Sequence, residues 1–301
     1  MKIVVTGATG MIGRPLCRRL LDDGHELVIL TRSSSKTAQV FPDSEIISWD
    51  AVSEPPPARL MQGARAAIHL AGESIAERWT KQRKAAIHDS RVFGTRNLVH
   101  GLLECEPQPE LLLCGSAVGY YGHTGENKVD ESSPPGQGFL ADLSVRWEEE
   151  ALPAKEAGLR LVHLRTGIVL DPGGGALKKM LPAFRLGLGG PLGNGRQYMS
   201  WIHLEDQVRG ILHCLENQDV HGPVNLTAPN PVTNKEFTRT LGKVLKRPAF
   251  LPAPAFALRM IMGEMADQML LQGQRVECRV LQESGFDFRH PQLPEALRDL
   301  L

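Results

Sequence analysis

A glycine-rich segment near the start of the chain constrains its fold more than any other feature. An apolar run, Lys2–Thr6, leads into Gly7-Ala8-Thr9-Gly10-Met11-Ile12-Gly13, and an amphipathic helical pattern follows. In a strand–turn–helix unit the first glycine allows a tight turn, the second admits a diphosphate to the backbone N–H groups, and the third permits close packing. The phosphates then lie at the helix N-terminus, where unpaired donors and the helix dipole favour anions. The segment predicts a dinucleotide site at Gly7, Thr9, Gly10, Met11, Ile12 and Gly13; the alternative is a glycine-rich turn of another α/β fold.

Short apolar runs alternate with helical patterns through residue 170. The predicted strands are Lys2–Thr6, Glu26–Thr31, Ile46–Trp49, Ala66–Leu70, Glu110–Gly115 and Arg160–Leu164. The predicted helices between them are Ile12–Asp23, Thr80–Glu104 and Leu140–Glu156. Continuous apolar strands are typical of parallel strands buried on both faces. The pattern predicts an α/β fold, a Rossmann-type doubly wound parallel sheet with helices on both faces, over residues 1–170.

The second half of the chain has a different residue pattern, in which strand and helix signals no longer alternate regularly. Two glycine-rich stretches, 171–175 and 187–195, are followed by a strand-like segment at 223–227. Thr233 and Glu236 form a capping box that begins a helix through Leu245. Helical patterns also cover 258–271 and 294–301. We therefore expect residues 171–301 to form a smaller substrate-binding C-terminal α/β lobe, with segments near 200–230 returning to the sheet.

The end of the second strand indicates which dinucleotide binds. An NAD-binding protein usually places a carboxylate there to hold the ribose hydroxyls. This chain has Thr31-Arg32-Ser33-Ser34-Ser35-Lys36 instead. A guanidinium beside hydroxyls suits the 2′-phosphate of NADP(H), so Thr31 and Arg32 are predicted to contact it. The alternative is a solvated basic turn.

Composition excludes several classes of partner. Lys plus Arg and Asp plus Glu are both 34, so the formal net charge is zero and gives no long-range attraction to nucleic acid or to an anionic membrane. The five cysteines are far apart and form no metal-ligating pattern, so we expect reduced, buried thiols and no metal. An apolar strand beginning at residue 2 leaves no room for a signal peptide, and no run is long enough to span a bilayer. We expect a cytoplasmic protein with a small-molecule substrate; the oligomeric state stays open.

Motifs along nearly the whole chain resemble the extended short-chain dehydrogenase/reductase superfamily, in its nucleotide-sugar epimerase branch. More narrowly, the chain resembles the YfcH-like epimerase family proteins. The motifs are TGATGMIG at residues 6–13, LAGESI at 70–75, RW at 78–79, SR at 90–91, GSAVGYYG at 115–122, LRTGIVL at 164–170, FRLGLGGP at 184–191 and GRQYMSWIH at 195–203.

The resemblance implies positions for several site residues. Leu70, Ala71 and Gly72 border the riboses of the cofactor, mainly through their backbone, and Glu73 belongs to the same motif. Arg91 lies near the cofactor, and Ser116 takes the place of the superfamily's catalytic serine. Arg165, at the lobe boundary, is included in the cofactor site, where it can bind an anion or pair with a carboxylate.

The proton relay of the superfamily is incomplete in this chain. Its members use a serine, a tyrosine and a lysine four residues after the tyrosine, because a proton must move when hydride does. If Glu148 takes the usual place of the helix glutamate, Leu140 replaces the tyrosine and Ser144 the lysine. Tyr120, Tyr121 and His203 are the substitutes that we consider; the alternatives are ring packing for the tyrosines and a structural role for the histidine.

Two functional hypotheses follow from these features. The first is an NADP(H)-dependent reductase or epimerase-like enzyme acting on a small polar substrate between the lobes. The second is a non-catalytic NADP(H)-dependent sensor or regulatory binding protein that has lost the relay. The long, chemically varied motifs of the second half favour the enzyme.

Overall fold

Seven strands form one sheet in the computed structural model, which describes residues 1–301. The strands of the chain are β1 (Lys2–Thr6), β2 (Glu26–Thr31), β3 (Glu45–Ser48), β4 (Ala64–His69), β5 (Leu111–Ala117), β6 (Lys128–Val129), β7 (Arg160–Thr166), β8 (Ile168–Leu170), β9 (Tyr198–Met199), β10 (Trp201–His203), β11 (Gly222–Leu226), β12 (Val232–Thr233) and β13 (Arg275–Val276). The helices are α1 (Gly13–Asp22), α2 (Ser34–Val40), α3 (Ala58–Met61), α4 (Lys81–Leu103), α5 (Phe139–Glu149), α6 (Leu152–Glu156), α7 (Gly175–Arg185), α8 (Leu204–Glu216), α9 (Asn234–Leu245), α10 (Ala255–Met262), α11 (Arg279–Glu283) and α12 (Leu293–Leu300). A 3-10 turn, Val118–Tyr121, follows β5, and a π-helical turn, Ala266–Leu271, lies beyond α10.

The central sheet has the order β11-β7-β5-β4-β1-β2-β3, and every neighbouring pair is parallel. From β1 the chain moves outward to β2 and β3, and then returns past β1 to β4 and β5. The strand order therefore reverses between β1 and β4, and a sheet of this kind binds ligands at the carboxyl ends of the strands at that point. The predicted doubly wound parallel sheet is confirmed.

Helices cover both faces of the sheet, which explains why its strands are apolar throughout. Ile3 and Val5 of β1 pack in the core beneath α1 and α8. Val4 packs on the opposite face, beneath α4, α5 and α6. Successive residues of a strand point to opposite faces, so a strand covered on both sides is apolar at every position.

A third apolar core lies in the second half of the chain. It is formed by α7, α9 and α12 around the fully buried Trp201. The segment 204–226, which lies between α7 and α9 in the chain, packs with the central sheet and not with this third core. Within it, α8 packs on the same face as α1, and β11 pairs with β7. The sequence predicts return segments in this region.

Two helical predictions are wrong in their continuity. The predicted helix Leu140–Glu156 is divided into α5 and α6, because Pro153 has no N–H to donate to the carbonyl four residues earlier. The predicted helical region 258–271 is divided at Gly263, whose φ of +62° ends α10. None of the helices has both the length and the apolar character needed to cross a membrane.

All five cysteines are buried as free thiols, in agreement with the prediction. Burial raises the pKa of Cys17, Cys114, Cys214 and Cys278 to about 12. These thiols therefore stay protonated and act as small apolar side chains.

Candidate cofactor and substrate site

The glycine turn after β1 has no room for a side chain on its inner side. Gly7 has φ +74°, and a Cβ on it would lie 2.7 Å from the carbonyl carbon of Leu70. A Cβ on Gly13 would lie 2.1 Å from the Gly7 oxygen. Gly10 is exposed, and a Cβ there would meet only the Gly7 oxygen, at 3.2 Å. Gly7 and Gly13 thus close the turn from inside, and Gly10 leaves it open to a ligand.

The N-terminus of α1 is open to an anion. No side chain caps it, and its first turn carries no acidic residue. Thr9 is exposed on the turn, whereas Met11 and Ile12 are half-buried, with Met11 packed against Gly174. A helix N-terminus of this kind attracts phosphate through its backbone N–H groups and its dipole. The glycine cradle and the uncapped helix fit the diphosphate of a dinucleotide.

Thr6 joins β1 to the loop after β4. Its Oγ1 accepts hydrogen bonds from the N–H groups of Leu70 and Ala71, at 3.2 and 3.1 Å, and lies 2.7 Å from Nδ1 of His69. Because the oxygen already accepts two bonds, its own proton goes to Nδ1, and His69 carries a proton on Nε2. Burial, and then the charge of Arg91, lowers the pKa of His69 to about 4. Thr6 and His69 are positioning residues that were not predicted from the sequence. The signal for Thr6 is its hydroxyl, which follows three apolar residues at the end of β1.

Three arginines surround Glu73, close to the predicted cofactor site. Arg32 Nη2 lies 2.9 Å from Glu73 Oε1, and Arg83 Nη1 lies 3.3 Å from Oε2. Arg91 donates from Nη1 to the backbone oxygens of Glu73 and Ile87, at 3.0 and 3.2 Å, and burial lowers its pKa to about 10. The structure thus brings Arg32, Glu73 and Arg91 together. Arg83, in the first turn of α4, was missed because no motif singled it out.

Thr31 and Gly72 shape the backbone around these arginines. Thr31 Oγ1 accepts from the N–H of Ser33 and from the hydroxyl of Thr37, each at 3.2 Å, which fixes the turn between β2 and α2. Gly72 is exposed, and a Cβ on it would lie 3.2 Å from the guanidinium carbon of Arg91. A side chain at Gly72 would therefore press on Arg91.

The relay position on α5 is apolar. Leu140 lies beside the 3-10 turn, since a Cβ on Gly119 would be 3.4 Å from the Leu140 Cβ. Ser144 is buried and donates to the Leu140 carbonyl at 2.8 Å. Leu140 belongs to a cluster with Trp79 and Phe139, which Met265 and Met269 join from the C-terminal segment. If Glu148 takes the place of the superfamily's helix glutamate, the tyrosine position lies in this apolar wall, and the lysine position holds a serine whose hydroxyl bonds to its own helix.

Ser116 and Tyr121 make hydrogen bonds to the buried ion pair of Arg165 and Glu148. Ser116 donates to Glu148 Oε1 at 2.6 Å, and Arg165 contacts both oxygens of Glu148, each at 2.8 Å. Tyr121 donates to Asn225 Oδ1 at 2.8 Å and accepts from Arg165 at 2.9 Å. Burial raises the pKa of Tyr121 to about 12. This geometry argues against proton transfer by Ser116 or Tyr121, and it gives Arg165 the second of its two predicted roles, pairing with a carboxylate.

Tyr120 lies against Arg165 and lines a surface cavity. The Arg165 guanidinium carbon lies 3.5 Å from the centre of its ring, a cation–π contact. Tyr120 lines a cavity of about 440 Å³. The walls of this cavity also include Leu159 and Gly222, at the amino ends of β7 and β11. None of the residues that line this cavity belongs to the glycine turn. A catalytic role for Tyr120 stays a prediction.

His203 begins α8 as its N-cap. Its Nδ1 accepts from the N–H of Glu205 at 3.0 Å, its Nε2 lies 3.2 Å from Asp299 Oδ2, and its ring stacks on His290 at 3.8 Å. His290 Nε2 lies 3.2 Å from Glu205 Oε2, and Arg289 pairs with the same carboxylate. Burial and the neighbouring His290 lower the pKa of His203. Nδ1 of His203 is thus used to cap α8, whereas the buried Nε2 makes no hydrogen bond. The capping bond fits the structural role considered as the alternative.

Comparison with known proteins gives matches along most of the chain. Residues 3–226 match the model of the NAD dependent epimerase/dehydratase family, and residues 253–300 match a domain of unknown function, DUF1731. The Arabidopsis thaliana epimerase family protein SDR39U1 homolog, chloroplastic, is 41% identical over 303 residues, covering 100% of this chain and 87% of the relative. Bacillus subtilis epimerase family protein YfhF is 36% identical over 302 residues, covering 100% and 98%.

Solved structures show the same fold. The crystal structure of human epimerase family protein SDR39U1 with NADPH is 36% identical, with a TM-score of 0.88 and coverage of 100% of this chain and 99% of the human one. Thermotoga maritima UDP-glucose 4-epimerase with UDP-glucose is 18% identical, with a TM-score of 0.79 and coverage of 100% and 97%, and shares the fold. A family match over most of the chain and full-length relatives above 35% identity establish that the chain belongs to the NAD dependent epimerase/dehydratase family.

Proposed function

We propose that the protein binds NADP(H) and is an oxidoreductase that works without a side-chain proton relay from α5. The diphosphate would lie over Gly10 at the N-terminus of α1, and Arg32 would contact the 2′-phosphate. The human relative that was crystallised with NADPH supports this cofactor. When bound, the cofactor supplies a hydride or accepts one.

The catalytic part of the proposal is supported by the apolar wall around Leu140. Trp79, Phe139 and Leu140 line it, and Met265 and Met269 from the C-terminal segment close over it. Such a wall excludes water from a hydride acceptor, which protects the reaction from side reactions. It offers no acid, so the substrate we propose is a small molecule whose reduction needs none from the protein. An iminium compound fits, because adding hydride to its carbon gives a neutral amine without a proton.

Single-turnover oxidation of bound NADPH tests this function. The loaded protein is mixed with panels of carbonyl and iminium compounds, and the loss of nicotinamide absorbance is followed. We expect turnover with at least one acceptor, a rate unchanged by Tyr120→Phe, and a slower rate in Leu140→Asp, which admits water to the wall. If no acceptor oxidises bound NADPH faster than free NADPH, the proposed activity is abandoned.

A second candidate function is a cofactor-dependent regulatory protein. Its support is that the hydroxyls of Ser116 and Tyr121 are engaged with other side chains, and that Nδ1 of His203 caps α8. A sensor must differ between its NADPH-bound and NADP⁺-bound forms. Hydrogen exchange in residues 255–271, which cover the wall, would then differ between the two forms. Equal protection with both forms counts against the sensor.

A further inference from the structure

We propose that Glu73 is a built-in anionic competitor for the 2′-phosphate, and that it thereby sets how strongly the protein prefers NADP(H) to NAD(H). The proposal rests on cofactor binding and not on turnover. What carries it is an ion pair that crosses the glycine turn.

Arg32 and Glu73 lie on opposite sides of that turn. Arg32 follows β2, Glu73 follows β4, and β1 with Gly7 runs between these two strands. Their side chains meet across the turn, with 2.9 Å between Arg32 Nη2 and Glu73 Oε1. If the diphosphate lies at Gly10, the adenosine ribose has to approach the end of β2, where the pair stands.

The two partners differ in how firmly they are held. The Arg32 side chain is 70% exposed, whereas that of Glu73 is 25% exposed. The Glu73 N–H donates to Ser90 Oγ at 3.1 Å, and its carbonyl oxygen accepts from Arg91 at 3.0 Å. Glu73 is therefore fixed to α4, and Arg32 is the partner that can turn toward a ligand.

Arg83 holds the other oxygen of the carboxylate. Its Nη1 lies 3.3 Å from Glu73 Oε2, and its Nη2 donates to the Ser74 carbonyl at 2.7 Å. Its side chain is 22% exposed. When Arg32 turns away, Arg83 still neutralises Glu73, which limits the repulsion between that carboxylate and an incoming phosphate.

The same guanidinium donors serve carboxylate and phosphate. A guanidinium binds either anion through paired N–H groups, so the 2′-phosphate must displace Glu73 from Arg32. NAD(H) has a hydroxyl in that place, which leaves the ion pair intact and can donate to the carboxylate. Glu73 therefore opposes the phosphate and tolerates the hydroxyl, and the protein's preference for NADP(H) is smaller than Arg32 alone would give.

The test uses two fragments that differ only in the phosphate, 2′,5′-ADP and 5′-AMP. Their Kd values are measured by calorimetry on the full chain, and the ratio of the 5′-AMP value to the 2′,5′-ADP value reports phosphate preference. The variants are Glu73→Gln and Arg83→Ala. Glu110→Gln is the matched control, because Glu110 also pairs with an exposed arginine, Arg65, but at the amino edge of the sheet.

We expect Glu73→Gln to raise the ratio about two- to fivefold, the effect of one partly exposed ion pair. Arg83→Ala should lower the ratio, because the unneutralised carboxylate holds Arg32 and repels phosphate. Glu110→Gln should leave it unchanged. A ratio unchanged or lowered in Glu73→Gln overturns the proposal, as do equal affinities of the two fragments for the original protein. Failure to find turnover leaves these ratios unaffected, so the two proposals fail separately.

Discussion

Arg165 and Glu148 form a bidentate ion pair in the core, with Nε to Oε1 and Nη2 to Oε2 distances of 2.8 Å each. Their side chains are 4% and 12% exposed. Ser116 adds a hydroxyl to the carboxylate, and Tyr121 adds one to the guanidinium. A buried ion pair is tolerated only when its remaining donors and acceptors are matched. The hydroxyls expected to do chemistry at the end of β5 are used for this matching.

Removing one partner of this pair should be far more damaging than removing both. Glu148→Gln leaves the Arg165 charge buried without a counter-charge, and we expect the free energy of unfolding to fall by about 3–5 kcal/mol. The double variant Glu148→Leu/Arg165→Met should recover at least half of the loss, because no charge remains unpaired. Urea unfolding of the three proteins measures this. A single variant that loses less than about 1 kcal/mol would show that the pair is dispensable.

Gly13 and Gly10 should separate folding from cofactor binding. Gly13→Ala places a methyl group 2.1 Å from the Gly7 oxygen, so the turn must move and both thermal stability and NADPH affinity should fall. Gly10→Ala meets only that oxygen, at 3.2 Å, and the methyl group points to the open side. We expect it to keep the melting temperature within a few degrees and to weaken NADPH binding at least about tenfold.

A glycine elsewhere provides the control for these two variants. Gly24 has φ +79° with no atom near its added Cβ, so Gly24→Ala carries backbone strain alone. It should cost about 1 kcal/mol and leave NADPH affinity unchanged. Normal NADPH affinity in Gly10→Ala would remove the phosphates from this turn.

The fold could be predicted from the sequence because its determinants are local. Gly10 and Gly13 meet only atoms of the β1–α1 turn itself, and the apolar residues of each strand indicate that the strand is buried on both faces. Pro153 also indicates an interruption, since an interior proline disfavours a helix, although α7 continues through Pro182.

The roles of polar residues could not be predicted in the same way. Ser116 meets Glu148 across 32 positions of the chain, and Arg32 meets Glu73 across 41. No local pattern encodes such pairings, because they depend on which strand ends become neighbours in the folded sheet. The motif containing Ser116 therefore indicated where the residue lies but not what its hydroxyl does.

Arg32→Asp should change the choice between the two cofactors. The substitution replaces a 2′-phosphate donor with an anion that repels phosphate and can accept from a ribose hydroxyl. We expect NADPH affinity to fall at least about thirtyfold, while NADH affinity changes less than about threefold. Fluorescence titration of both cofactors measures the two effects. Equal effects on NADPH and NADH would exclude Arg32 from the phosphate site.

His69 should make the fold sensitive to acid. In the folded protein, burial lowers the pKa of His69 to about 4, against about 6.5 in the unfolded chain. As pH falls, the unfolded chain takes up the proton first, so stability is complete above about pH 6.5 and declines toward pH 4. The loss due to this group is on the order of 3 kcal/mol. Burial lowers the pKa of His163, His203 and His213 as well, which adds to the loss in the same direction.

The variant His69→Asn should flatten this pH dependence. Asparagine keeps a polar group for Thr6 Oγ1 but cannot take up a proton, so the share of the acid loss that belongs to position 69 disappears. Urea midpoints at about pH 7.5 and about pH 4.5 measure the difference, with the exposed His221→Asn as the control that should behave like the original protein. If His69→Asn loses as much stability on acidification as the original protein, the buried imidazole is not the group that titrates.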